Sequence, residues 1–227
     1  MKKNIPLLIL AAVFTAMSGC TVTKGPAGPE GANYLTAFFQ DSLYPDTMYS
    51  DTDSVGISSG EPNVGDLDDY CWTGMYENSA ERMLLYFDIS GYFPVNATIK
   101  KAYIVLYCDE LDGGLSPTLA IYRVTAGWDG LEATWNSRLT GQAWTAPGSD
   151  FVSTAVSNSV TLTETGKYYT WELDASMVQK WLDGSLDNDG LVLKAVNESV
   201  EEDALIATNT NSNTAFRPRL VINYSLN

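Results

Sequence analysis

Histidine is absent from all 227 residues, and Lys plus Arg number 13 against 28 Asp plus Glu. The first absence excludes Ser-His-Asp hydrolysis, Cys-His proteolysis and zinc or copper held by imidazole. Catalysis would have to rest on Asp, Glu, Tyr, Lys or Arg, while hard cations bound through oxygen stay open. The shortage of positive charge gives a formal net charge of −15. Such a surface repels nucleic-acid phosphates and anionic lipid, so neither is an expected partner. Cysteine is scarce too, with three in the chain. The leading apolar stretch, residues 5–14 interrupted by Pro6, is too short to cross a bilayer as a helix.

What stands around that stretch is informative. Lys2 and Lys3 precede it, and Met17, Ser18 and Gly19 lead into Cys20, the layout of a bacterial secretory signal with a small-residue cleavage site. It resembles a lipobox, with Met17 where Leu is usual. The expectation is a lipoprotein signal peptide over residues 1–19 and a palmitate-type acylated Cys20 as the new N-terminus. More than one acyl chain is the physical condition for stable anchoring. Losing Lys2 and Lys3 moves the formal charge from −15 to −17. Thr21 is not the aspartate associated with retention at the inner membrane in enteric bacteria. The expected place is therefore the outer membrane or cell surface. Gly25-Pro26-Ala27-Gly28-Pro29-Glu30-Gly31 follows. Two triplets cannot hold a collagen triple helix, so residues 20–33 read as a semi-extended spacer.

From residue 34 to 227 the pattern is one of β-strands. Residues 100–108 place Ala102, Ile104, Leu106 and Cys108 on one face and Tyr103, Val105 and Tyr107 on the other. Both sets are apolar, which predicts a strand covered on both sides or central in a sheet. Leu85, Phe87 and Ile89 share a face, as do Tyr169, Trp171 and Leu173, and Leu220, Ile222 and Tyr224. Turn signals such as Asp112-Gly113-Gly114 separate these runs. Residues 176–182 differ. Met177, Val178, Trp181 and Leu182 fall on one helical stripe, with Asp174 or Ser176 to cap its start and Gly184 to close its end.

Several ordered stretches then carry a family likeness. They are Asp46-Thr47-Met48-Tyr49, Arg82 through Ser90, Ala97 through Ala102, Tyr122-Arg123-Val124-Thr125 with Trp128, Glu132, Thr134, Trp135 and Asn136, Trp171 through Asp174, Val178 through Leu182, Gly190 through Ala195, and Arg217 through Tyr224. Together they resemble the DNRLRE domain family, some members of which are classed as carbohydrate-binding module family 96. The resemblance implies a jelly-roll-like antiparallel β-sandwich, here with one short helix, that binds or builds rather than catalyses. Asn63-Val64-Gly65 departs from the Asn-Tyr-Gly usual in that family, and the expectation is a domain without an attached catalytic one.

Candidate site residues follow. Trp128, Trp135, Trp171 and Trp181 sit at positions that point inward, whereas Trp72 and Trp144 lie in loop-like surroundings. Those two are the candidate platforms for stacking against a sugar ring. Asp51 and Asp53 are the candidate ligands for a structural calcium, because acids one residue apart can converge on that ion. Solvated surface charge is the alternative for them. Cys71 and Cys108 read either as a disulfide, in keeping with an oxidising compartment, or as two separately packed thiols. The functional expectation is a non-catalytic surface lipoprotein module that binds a polysaccharide. The alternative is a structural or adhesive protein whose partner is protein or envelope, and a polysaccharide-cleaving enzyme is a third, more remote reading.

Overall fold

The computed structural model describes residues 34–226. Residues 1–33, with the expected signal peptide, Cys20 and spacer, lie outside the described residues. The fold is an antiparallel β-sandwich with one short helix, as the sequence implied. Its strands in chain order are β1 (Leu35–Phe39), β2 (Thr52–Ser58), β3 (Gly65–Asp66), β4 (Tyr70–Tyr76), β5 (Ser79–Phe87), β6 (Ala97–Leu111) and β7 (Thr118–Arg123). Then come β8 (Ser137–Leu139), β9 (Gln142–Ala143), β10 (Val160–Thr161), β11 (Lys167–Leu173), α1 (Ala175–Leu182), β12 (Leu191–Ala195), β13 (Glu202–Ala207) and β14 (Arg219–Leu226).

One hydrogen-bonded sheet curls into two layers. In the first layer β6 is central. It pairs with β11 along one edge, and with β14 and then β13 along the other. Beyond these lie β1 against β14 and β4 against β13. The second layer runs β3, β2, β5, β12, β7, β10. The β4–β5 hairpin joins them: β4 belongs to the first layer through β13, while β5 pairs with it only near the turn, from Ser79 to Glu81. The turn residues Glu77 and Asn78 have φ of 46° and 63°, the left-handed geometry that matches a hairpin's twist.

Strand parity decides the core. Ala102, Ile104, Leu106 and Cys108 are essentially fully buried and face Met83, Leu85, Leu119, Ile121, Leu191 and Leu193 of the other layer. Trp171 binds the layers together, since its indole N–H donates to the Leu119 carbonyl of β7 at 3.1 Å. Helix α1 packs Met177 and Val178 onto this core. Asp174 caps it by accepting from the Ser176 amide at 2.9 Å. Gln179 accepts from the Ile99 amide at 2.8 Å, which ties the helix to the start of β6.

A second core lies on the outer face of the second layer. Val55, Ile57, Leu84 and Val192 point away from the main core there. The long excursion after β7 folds back across them with Val124, Ala133 and Trp144, flanked by Trp128, Trp135 and Phe151. Arg82 crosses this region with its guanidinium over the Trp135 ring at 4.6 Å. It grips Glu198 through two bonds of 2.7 and 2.8 Å, and Lys194 reaches the same carboxylate at 3.2 Å. Burial works against charge on Glu198, but the two cations outweigh it and hold its carboxyl below the usual range. A buried cation without its counter-ion is costly, so this set stands or falls together.

The thiols do not pair. Cys71 on β4 and Cys108 on β6 are free and buried. Both are in register with Ile206, on opposite sides of β13. Two strand spacings of about 4.8 Å put their backbones about 10 Å apart, beyond the reach of a disulfide. Burial pushes the Cys108 thiol up to about 11 and Cys71 further up still. They behave as small apolar groups.

Candidate functional site

A groove opens beside the β4–β5 hairpin, between it and the β2–β3 connection. Gly56 lets β2 come close to β4 in the groove wall, because a Cβ there would stand 2.6 Å from the Cys71 Cβ. Gly74 allows the bend of β4 toward the corner. Its φ is +147°, and a Cβ would stand 2.2 Å from the Glu202 carbonyl oxygen. The groove has a volume of about 800 Å³. Trp72 and Tyr76 line it, four residues apart on one strand and thus about 13 Å apart along it. Trp72 is half-buried and Tyr76 is 45% exposed. Glu61, Asp66, Asp68 and Glu81 share the lining, and no Lys or Arg does.

Crowded carboxylates shift one another here. Burial first, then the charges of Asp203 and Asp66, push Glu81 up to about 7. Its Oε2 is buried without a hydrogen-bond partner. Asp66 is also raised by burial, although it accepts from the Asp68 amide at 3.0 Å. Behind the groove Asp203, only 2% exposed, is pushed up to about 6 by burial and by Asp112. Chemically the groove offers two rings, a rim of oxygen acceptors and a carboxyl that holds its proton near neutrality. It suits a hydroxyl-rich ligand without negative charge.

Of the two tryptophans singled out in the sequence, the structure brings only Trp72 to a groove. Trp144 is 4% exposed, and its indole donates to the Thr134 carbonyl at 2.9 Å. The Gly- and Pro-rich segment around it is itself mostly exposed, but it presses the Trp144 ring onto Val55, Ile57, Leu84 and Val192. Trp171 is buried as expected, while Trp128, Trp135 and Trp181 are half-buried against the two cores. Asp51 and Asp53 do not converge. Asp53 accepts from the Gly130 amide at 2.9 Å and so anchors the covering segment. Asp51 is exposed, beside the Tyr92 hydroxyl. Among the described residues no group of three or more Cys, Asp or Glu side chains is placed to hold a metal ion. Sequence reasoning missed Glu81 and Tyr76. Glu81 did carry a signal, being an acid in step with Met83, Leu85 and Phe87 on the apolar side of its strand.

Comparison with known families corrects the resemblance read from the sequence. Residues 58–222 match the Disaggregatase related repeat domain. The match covers well over half of the chain, so the chain belongs to this family and not to the DNRLRE or carbohydrate-binding module 96 families. Most of the stretches that suggested the other family lie within these residues. No curated protein matches the chain.

Proposed function

We propose that this chain is a surface lipoprotein whose sandwich domain binds a polysaccharide without cleaving it. The carrying observation is the groove itself, with Trp72 and Tyr76 on one strand amid carboxylates and no cation. Aromatic rings with a polar handle are suited to ligands that are apolar on one side and wet on the other, as a sugar ring is. The surplus of acid favours neutral chains over acidic ones. Cys20 would carry the lipid, and the Gly-Pro segment after it would hold the domain off the membrane.

The test is a glycan array probed with the full chain, with and without calcium. Binding to neutral polysaccharides supports the reading, and silence on every neutral glycan overturns it in favour of a structural or adhesive role. The anchor is tested separately by palmitate labelling. Wild type should take up label and Cys20→Ala should not; equal labelling would remove the lipoprotein reading.

One observation favours a second reading. Glu81 keeps its proton near neutrality beside Asp66, which is what a general acid in glycoside cleavage requires. Release of reducing ends from a bound polysaccharide, lost in Glu81→Gln, would replace binding by cleavage.

A further inference from the structure

The two outer faces of the sandwich differ. The second layer is covered by the excursion that buries Trp144. Among the described residues the first layer carries only the shorter segment around Phe216 on its outer face, beside a row of rings. Trp72 belongs to both places. It lines the groove, yet it alternates with buried Cys71 and Thr73 and so points away from the main core. Tyr70 shares its face. Tyr107, on β6 across β13, lies close enough to Tyr70 to feel its hydroxyl. Tyr107 stacks on Phe216 with centroids 3.8 Å apart and planes 2° from parallel. Tyr168 meets Tyr107 edge-on at 5.1 Å and is 43% exposed. Its hydroxyl donates to the Ala215 carbonyl at 2.9 Å, which holds the Phe216 segment down on the sheet.

We propose that this outer face continues the groove as a track for the same polysaccharide chain, with Trp72 at the junction and Tyr168 toward the far end. The inference rests on the groove being a polysaccharide site. The rings form a bent row, along β4 and then across β13 to β6 and β11. Trp72 and Tyr70 are about 7 Å apart along β4, and Tyr70 and Tyr107 about 10 Å apart across β13. A protein partner would call for a compact apolar centre. Here every ring of the row except Phe216 carries its own hydroxyl or N–H. Nearby Lys101 and Glu172 neutralise one another at 3.4 Å. A chain long enough to leave the groove therefore meets further rings, while a short oligosaccharide is held by Trp72 and Tyr76 alone.

The test is affinity electrophoresis of the full chain in gels containing mixed-linkage β-glucan, xylan or galactomannan. Trp72→Ala and Tyr168→Ala are compared with wild type, near-ultraviolet circular dichroism confirms that each is folded, and a trisaccharide from the retarding polymer is titrated alongside. Tyr168→Ala should weaken binding to the polymer about tenfold, by analogy with the loss of one stacked ring, and leave the trisaccharide affinity unchanged. Phe216→Ala should act in the same direction. If Trp72→Ala abolishes retardation while Tyr168→Ala and Phe216→Ala match wild type, the track is wrong and the groove stands. If none of the three polymers retards wild type, the groove and the track fall together. Self-association of wild type that Tyr168→Ala abolishes would assign this face to a second copy of the chain, against the proposal.

Discussion

Replacing Glu81 by Gln should stabilise the protein at pH 8 and change little at pH 5. Glu81 is raised from 4.5 to about 7, mainly by burial and then by Asp203 and Asp66. Between those values the folded chain keeps a proton that the unfolded chain has released. Stability therefore falls as pH rises through this window. A rise of about 2.5 units corresponds to about 3 kcal/mol at 1.36 kcal/mol per unit. Because Glu81 faces an open groove, water screens part of this and leaves about 1–2 kcal/mol. Asp203, raised from 3.8 to about 6, adds a contribution of the same sign over a lower window. The opposite limb comes from Glu198, Asp150 and Asp174, whose lowered values make stability fall once pH drops below the ordinary carboxylate range. Urea unfolding of wild type and Glu81→Gln at pH 5 and pH 8 measures the effect directly. The variant should gain about 1–2 kcal/mol at pH 8 only. An equal change at both values, or a loss at pH 8, would show that Glu81 is not held protonated by its surroundings.

Two further predictions concern the places where structure and sequence disagree. Trp144→Ala should cost about 3–5 kcal/mol of stability, as truncation of a buried tryptophan does, and unfolding by urea reads it. Trp72→Ala, at a half-buried groove position, should cost far less, so a reversed order would contradict the assignment of core and site. Cys71 and Cys108 should be unreactive toward a thiol reagent in the folded protein and both titrate in denaturant. A shift in gel mobility on reduction would contradict the intervening position of β13.

The strands that form the main core were legible because their alternation is strict. Ala102, Ile104, Leu106 and Cys108 announce one buried face, and Asp174 with Gly184 bracket the helix in the sequence itself. What could not be read were contacts made by segments distant in the chain. Trp144 looked exposed because Gly141, Pro147 and Gly148 surround it, and its burial depends on the outer faces of β2, β5 and β12. Part of that was visible, since Leu191, Val192 and Leu193 are apolar on both faces of one strand, a sign of a doubly covered layer. Spacing alone could not show that β13 separates Cys71 from Cys108, because β13 lies almost a hundred residues after one of them. Asp51 and Asp53 look like a ligand pair along the chain, but Asp53 is committed to the Gly130 amide. The groove itself had one trace, the acid Glu81 on an apolar parity, whose meaning depends on Asp66 and Asp203 arriving from two other strands.

The central claim, that Trp72 is the platform of a polysaccharide site, is tested most directly by titrating wild type, Trp72→Ala and Tyr76→Ala with the neutral polysaccharide that wild type binds on the array, using calorimetry. Loss of one stacked ring should weaken binding by about 1–3 kcal/mol, by analogy with bases stacked on aromatic side chains. Both variants should show that loss while keeping the urea midpoint close to wild type. Undiminished binding by both variants would place the site elsewhere on the molecule and contradict the account.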